Sequence, residues 1–399
     1  MALGSIGAPA SSGDGRRLPL VLGLLTVDVF IANTVAFMLA PLLVPIAAEL
    51  GTTVGVVGQL AAITSIPWAV AGFFAGPVSD RWGRRRLLLG GNALVGLGTV
   101  LSGLASSYPA LLATRLLTGL GASAIGPNCL SLVGDLVPPS RRGKALGWVM
   151  SGQSLAPIIG VPAVSAIAGS FGWRAGFWAV GGMVLILCLA QIAWLPGATQ
   201  PGGPPVSYLR SFAQVLRNRT AMVMSIANLL ERIAYGIFSV YFAAFLIQSY
   251  DLDLREVAPI LSVIALGMLT GTLVSGRLTD RLPKRPFAVV APVIEGLIIL
   301  PLFLFAPGLI ASAALGFLAG ASSASTRPIF MWLGTNAAPR LRGTLAGFTV
   351  VSNQAGVILG SAIGGLLLGS GTYTWLGATA GIVAGLTALL LIEPDVVES

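Results

Sequence analysis

Six ionisable residues stand inside otherwise apolar stretches of this sequence. They are Asp28, Arg115, Glu231, Arg232, Glu295 and Arg327. Because ionisable side chains are costly in an apolar surround, they normally face an interior cavity or pair with one another. A carboxylate that alternates between an arginine partner and an apolar surround can take up and release a proton. The residues therefore indicate proton transfer and ion pairing, with Asp28 as the first choice for a proton carrier and Glu231 as the second.

Other kinds of chemistry are disfavoured by residues that the chain lacks. Its 399 residues include no histidine and two cysteines, Cys129 and Cys188, both within apolar runs. We therefore expect no metal site, no disulfide framework and no cofactor. The sequence has no nucleophile–base set and no Gly-Lys-Ser/Thr phosphate loop. It thus indicates neither an enzyme nor a protein driven by ATP.

The elements that must position the six residues are membrane-spanning helices. Only 9% of the residues are charged and 55% are hydrophobic, whereas soluble domains carry about 25% charged residues. A helix needs about 20 apolar residues to cross a bilayer. We predict an all-α polytopic membrane protein with twelve spans, numbered 1 to 12 in chain order. They are residues 18–47, 54–75, 87–106, 109–132, 145–169, 175–195, 221–247, 257–276, 287–306, 309–332, 345–368 and 373–392.

The basic residues predict how these spans are oriented. With both termini in the cytoplasm, 18 of the 23 lysines and arginines lie in cytoplasmic segments, and only Arg174 and Arg255 lie in outer ones. Basic loops remain on the cytoplasmic side of a membrane. We therefore expect a multi-pass protein of a bacterial cytoplasmic membrane with both termini inside. The net charge of +9 then reflects topology beside the lipid bilayer, and no nucleic-acid partner is expected.

The chain divides into two halves that repeat one another. At an offset of 200 residues, Gly76–Arg81 is similar to Gly276–Arg281, and Gly160 matches Gly360. The predicted domains are a cytoplasmic tail 1–17, a six-helix bundle 18–195, a cytoplasmic loop 196–220, a second bundle 221–392 and a cytoplasmic tail 393–399. Duplicated six-helix halves are typical of secondary transporters, whose substrate site lies between the halves near the middle of the membrane.

The loop between spans 2 and 3 carries a family resemblance. Its sequence, Gly76-Pro-Val-Ser-Asp80-Arg81-Trp-Gly83-Arg84-Arg85-Arg86, resembles the loop 2–3 motif of the major facilitator superfamily, and the degenerate copy at 276–285 has Pro283 in place of Gly83. The resemblance implies a fold of two six-helix pseudo-repeat bundles. It also implies a cytoplasmic latch, in which Asp80 caps span 11 and Arg84 engages Asp135 at the end of span 4. The predicted latch residues are Gly76, Asp80, Arg81, Gly83, Arg84, Asp135, Gly276, Asp280 and Arg281. For Arg85 and Arg86, a role in topology alone is an equal alternative.

Two further stretches resemble motifs of this superfamily. Arg115-Leu-Leu-Thr-Gly119 in span 4 is similar to the motif of proton-moving members, which ties the arginine to coupling. The alternative is that Arg115 reaches outward to the membrane surface. Span 5 keeps Pro157 and Gly160 of the drug:proton antiporter motif, although Ala156 and Val161 replace glycines. The chain is most like the bacterial twelve-helix drug:proton antiporters and efflux proteins.

The resemblance also implies which residues face a central cavity. Spans 1, 4, 7 and 10 line it in this superfamily, which would turn Asp28 and Arg115 inward. Glu231 and Arg232 are adjacent, so one faces the cavity and the other a neighbouring helix. Glu295 in span 9 is either a site residue or a packed, protonated or paired acid. The predicted cavity residues are Asn33, Asn128, Gln153, Asn228, Arg232, Tyr235, Tyr241, Arg327, Asn353 and Gln354.

We therefore expect a secondary transporter that works by alternating access as a monomer. Its expected activity is proton-coupled export of small, partly hydrophobic molecules. One alternative is an uptake or exchange carrier for a small organic or inorganic anion, which would bind its substrate through Arg232 and Arg327. The alternative from another class is a non-transporting membrane sensor or scaffold with the same fold, and the six intramembrane charges argue against it.

Overall fold

The computed structural model describes residues 14–197, 218–281, 283–337, 342–369 and 371–392, and every regular element in these ranges is a helix. The helices of the first half are Asp14–Phe37, Leu39–Glu49, Val54–Trp82, Arg84–Gly103, Tyr108–Leu136, Pro139–Leu155, the π-helix Ala156–Gly160, Val161–Phe171 and Trp173–Trp194. Those of the second half are Arg219–Tyr250, Leu254–Arg281, Lys284–Phe305, Leu309–Ala337, Arg342–Leu368 and Thr374–Ile392. A helix stands at each of the twelve predicted spans, which confirms the all-α fold.

The chain is a multi-pass membrane protein. Eleven helices in the described ranges are long and apolar enough to cross a bilayer. Span 3, Arg84–Gly103, is less apolar because it begins with three arginines and contains Asn92. Span 1 begins at Asp14, so residues 14–17 of the predicted tail are helical. The predicted loop 196–220 and the tail 393–399 lie almost entirely outside the described residues.

Prolines interrupt spans 1 and 5. Span 1 breaks at Met38, because Pro41 has no N–H to bond to the carbonyl of Phe37 four residues earlier. In span 5, Pro157 lies within the π-helix Ala156–Gly160. Such single-turn π-helices are frequent at functional sites. Span 5 therefore contains a wider helical turn at the proline of its resemblance motif.

The packing of the helices follows the sequence repeat. In the first half, span 3 packs against spans 4 and 6, and span 2 against span 4. In the second half, span 9 packs in the same way against spans 10 and 12, and span 8 against span 10. Adding six to each span number converts one set of contacts into the other. The two halves are therefore two six-helix bundles of the same design.

The bundles meet mainly through two pairs of helices, spans 2 with 11 and spans 5 with 8, and the outer helix of span 1, Leu39–Glu49, also packs against span 7. The same repeat exchanges these two pairs, so the interface is pseudo-symmetric. Gly55 of span 2 and Gly365 of span 11 approach so closely that a methyl group on either would meet the carbonyl of the other. In the second pair, the Ser262 hydroxyl donates to the carbonyl of Ile158 in the π-helix at 3.1 Å. The glycine contact lies at the end of the molecule that the basic residues predict to be outside.

At the same end of the first bundle, an ion pair of Glu49 joins two spans. Its carboxylate pairs with Arg174 and accepts the indole N–H of Trp173 at 2.5 Å. These two donors hold the pKa of the Glu49 carboxyl below its usual value. The contact joins the end of span 1 to the beginning of span 6, which fixes the outer edge of the bundle.

Candidate functional site

A cavity of about 430 Å³ lies between the two bundles. Its wall includes six of the predicted cavity residues: Asn33, Gln153, Arg232, Tyr235, Asn353 and Gln354. Phe37 and Trp68 add aromatic surface, and Met268 adds a flexible thioether. Amide groups with aromatic and thioether surface suit a small, partly apolar ligand that is oriented by a few hydrogen bonds. In the described wall, Arg232 supplies the charge and no carboxylate does.

Arg232 forms an ion pair with the adjacent Glu231 on the side that faces away from the cavity. Its Nε and Nη2 atoms donate to the two carboxylate oxygens of Glu231, and Nη2 also lies 3.1 Å from the Ser323 hydroxyl of span 10. That hydroxyl donates to Glu231 at 3.0 Å. The guanidinium carbon stands 4.7 Å from the centre of the Tyr235 ring, a cation–π distance. Arg232 thus lines the cavity, while Glu231 faces span 10.

Three other predicted cavity residues do not line this cavity. Asn128 lies in the first bundle, where it accepts from the Ser79 hydroxyl at 2.5 Å. Tyr241 donates to the carbonyl of Ser361 at 2.6 Å and packs between spans 2 and 11. Asn228 stands just behind the wall and donates to Asn353 at 3.1 Å. In each case one polar atom bonds to a neighbouring helix, and the structure places these three residues outside the wall of this cavity. The side chain of Arg327 lies outside the described part of the structure.

Asp28 is buried inside the first bundle and does not reach the cavity. It is 1% exposed, and its Oδ2 accepts the Gln191 amide at 2.7 Å and faces the Cys129 thiol at 3.6 Å. Asn92 in turn donates to Gln191 at 2.9 Å. The expected arginine partner is absent among the described contacts of Asp28. Since these partners are neutral, the carboxyl group is buried at least cost when it carries a proton.

Arg115 faces neither the cavity nor the membrane surface. It is fully buried, and its Nε and Nη2 atoms donate to the Ser102 hydroxyl of span 3 at 3.2 and 2.7 Å. The guanidinium carbon lies 5.0 Å from the centre of the Phe177 ring in span 6. Arg115 therefore ties span 4 to spans 3 and 6, which corrects both the inward-facing and the outward-reaching interpretations.

Of the pairing expected among the six intramembrane charges, the described side chains form one ion pair, Glu231 with Arg232. Glu295 is 1% exposed, and neither of its carboxylate oxygens has a hydrogen-bond partner in the described structure. Sequence analysis also missed Asn92, Gln191 and Ser323, which supply the actual partners of the buried acids. The sequence does contain a signal for them, since each is a polar residue within an apolar span.

The loop between spans 2 and 3 has part of the predicted latch geometry. Gly83 has a positive φ of 92°, which glycine adopts without strain, and it separates the two helices. Arg84 pairs with Asp135 and also donates to the carbonyl of Ser131 at 3.0 Å, whereas the Arg81 side chain is exposed. The contacts of five other predicted latch residues lie outside the described part: Gly76, Asp80, Gly276, Asp280 and Arg281. Because Arg84 and Asp135 belong to one bundle, their ion pair braces that bundle and does not by itself join the two.

Exchanging the charges of this pair provides a test of its role. We expect Arg84→Gln to lower the transport rate several-fold, because it removes the brace at the cytoplasmic end of spans 3 and 4. The double variant Arg84→Asp, Asp135→Arg should recover most of the lost rate, as measured in membrane vesicles. Arg86→Gln, at an exposed position of the same helix, is the matched control and should keep the original rate. If the double variant is no better than Arg84→Gln, the ion pair does not carry the effect.

Comparisons with known proteins agree with this geometry. Residues 26–349 and 224–399 match the Major Facilitator Superfamily. A chloramphenicol resistance protein of Streptomyces lividans is 31% identical over 69% of this chain and 71% of its own length. A 3-(3-hydroxy-phenyl)propionate transporter of Escherichia coli (strain K12) is 30% identical over 82% of both chains.

A solved structure shows the same architecture. It is the crystal structure of a bacterial homologue of the human lysosomal transporter Spinster, in an inward-facing and occupied conformation. The similarity covers 97% of this chain and 96% of that one, with a TM-score of 0.75 and 18% identity. One family accounts for the sequence repeat, the twelve spans, the cavity between two bundles and these matches. The chain belongs to the Major Facilitator Superfamily.

Proposed function

We propose that this protein exports small, partly hydrophobic molecules in exchange for protons. The observation that carries the proposal is the cavity between the bundles, whose wall combines aromatic surface with the amides of Asn33, Gln153, Asn353 and Gln354. A neutral molecule with a ring and a few polar groups is the ligand that such a wall fits. The relative from Streptomyces lividans, a chloramphenicol resistance protein, supports a ligand of this kind.

The proposed mechanism uses the pseudo-symmetric interface. In this mechanism the contacts of spans 2 with 11 and 5 with 8 hold the bundles together, and the contact of Gly55 with Gly365 closes the predicted outer end. Rocking of the two bundles about this interface would separate the outer contacts and open the cavity to the outer side of the membrane. Asp28 is the proposed proton carrier, because it is a buried acid with neutral partners in the described structure. Its helix, span 1, also contributes Asn33 and Phe37 to the cavity wall.

Inside-out membrane vesicles provide the test of the exporter. With an acidic interior imposed, they should accumulate labelled chloramphenicol and lipophilic dyes, and accumulation should stop when a protonophore collapses the gradient. Vesicles without the protein are the background control. An absence of gradient-driven accumulation for every one of these probes, with protein present in the membrane, would contradict the exporter.

A second candidate is the uptake of a small aromatic carboxylate. The observation that favours it is Arg232, which brings a guanidinium to the cavity wall beside Tyr235. A carboxylate can pair with the guanidinium while its ring packs on the aromatic surface. The 3-(3-hydroxy-phenyl)propionate transporter of Escherichia coli supports a ligand of this class. Saturable counterflow of labelled 3-(3-hydroxyphenyl)propionate, without movement of dyes, would establish this candidate in place of the exporter.

A further inference from the structure

Glu295 is the buried acid that the proposed function leaves without a role. It lies in the middle of span 9 and is 1% exposed. Both of its carboxylate oxygens are buried without a hydrogen-bond partner in the described structure. An ionised carboxylate buried in this way has lost its hydration without a hydrogen bond or ion pair that compensates for the loss. The cost of burying Glu295 is therefore low only if the carboxyl group carries a proton or has a cation beside it.

The described groups around Glu295 supply one cation, Arg232, and Glu231 already pairs with it. Glu231 and Arg232 of span 7 act electrostatically on Glu295, and the side chains of Ser323 in span 10 and of Glu231 itself come close enough to share hydrogen atoms with its carboxyl group. Span 12, which packs against span 9, has no charged residue in Thr374–Ile392. Span 10 also carries Arg327, whose side chain lies outside the described part. Among the described side chains, two acids thus share a single guanidinium.

The hydrogen bonds indicate which of the two acids the surroundings favour in the ionised form. Glu231 receives both nitrogens of the Arg232 fork and the Ser323 hydroxyl. Glu295 lies beside Ser323 and Glu231 but has no described hydrogen bond of full geometry. Two carboxylates that compete for one cation in an apolar surround do not both ionise, and the proton resides on the less well solvated acid. Glu231 is therefore the ionised member of the pair, and Glu295 is the member that holds a proton.

We propose that Glu295 is a second proton-binding site, in the second bundle, and that it competes with Glu231 for Arg232. When Glu295 is protonated, Arg232 remains in its ion pair with Glu231, as in this structure. Release of the proton places a second negative charge behind Arg232, which weakens the positive charge that the cavity wall offers. Glu295 is then a positioning residue that acts through Arg232. Its part in transport depends on the proposed function, whereas its binding of a proton does not.

Infrared spectroscopy of the purified full chain tests the proton site without any substrate. A protonated carboxylic acid has a C=O stretching band that its ionised form lacks. We expect the pH-difference spectrum of the wild type to contain such a band for Glu295, and Glu295→Gln, which keeps the volume of the side chain, to lose it. Asp28→Asn should remove a different band. Glu49→Gln, at an exposed acid, is the matched control and should remove neither. An identical set of bands in the wild type and Glu295→Gln would overturn the proposal.

A second variant tests the competition for Arg232. In Glu231→Gln the guanidinium loses its acid, so Glu295 should take over the ion pair and lose its protonated band at the same pH. Persistence of the full band in Glu231→Gln would show that the two acids do not share Arg232. If Glu295→Gln does not fold, Glu295→Asp shifts the band instead, and an unshifted band overturns the assignment. Failure of vesicles to move chloramphenicol would count against the proposed exporter and would leave these bands unchanged.

Discussion

Replacing Asp28 with asparagine is expected to abolish transport driven by a pH gradient and to leave substrate exchange across the membrane near its original rate. Asparagine has the size of aspartate, and its carbonyl oxygen can still accept the Gln191 amide that lies 2.7 Å from the carboxylate. It cannot bind or release a proton, however. A carrier with this substitution would still change conformation around its substrate, but the gradient would no longer set the direction of net movement.

The measurement compares two modes of transport in the same vesicles. Gradient-driven accumulation of chloramphenicol should fall to background in Asp28→Asn, whereas exchange of labelled for unlabelled chloramphenicol should persist. Asp251→Asn, at an exposed acid in the left-handed turn after span 7, is the matched control and should keep both modes. Unchanged gradient-driven accumulation in Asp28→Asn would eliminate Asp28 as the proton carrier. Loss of both modes would point to a structural role for the carboxylate.

The architecture could be predicted from the sequence because it depends on signals that do not require side-chain orientation. Uncharged runs of sufficient length give the spans, and a repeat at one offset gives the two bundles. The matched pair Gly160 and Gly360 shows how far the repeat extends. Gly160 of span 5 packs against Thr34 of span 1, and Gly360 of span 11 packs against Gly236 of span 7. The two glycines allow equivalent close contacts in the two bundles.

The direction in which each buried side chain points could not be predicted in the same way. A helix in water has one apolar stripe, which indicates the face that it buries. The spans of this protein are apolar on nearly every side, so a single polar residue does not reveal the rotation of its helix. Asp28 and Arg115 were expected in the cavity and instead face partners within the first bundle. The π-helix in span 5 adds to this difficulty, because a wider turn rotates every residue that follows it.

The glycine contact between spans 2 and 11 should be sensitive to a single methyl group. A Cβ atom on Gly365 would run into the carbonyl of Gly55 and the hydroxyl of Tyr241. Two backbones cannot yield as a flexible side chain does, so Gly365→Ala should separate the outer ends of the bundles. Overpacking of this kind costs about 1–3 kcal/mol, which changes the ratio of two conformations by a factor of roughly 5 to 150. We therefore expect a strong shift away from the conformation closed at the predicted outer end.

Labelling of a cysteine in the cavity measures that shift. Gln153→Cys places a thiol in the cavity wall, while the native Cys129 and Cys188 are buried. A membrane-impermeant thiol reagent added from the predicted outer side should react with this thiol faster when Gly365→Ala is also present, and transport should decrease. Gly385→Ala is the matched control, because nothing lies within 4 Å of a Cβ atom at that position of span 12. Alanine favours a helix over glycine by about 1 kcal/mol at both positions, so only the contact with Gly55 and Tyr241 distinguishes the two variants. Equal labelling rates in both would show that the outer ends do not close through this glycine contact.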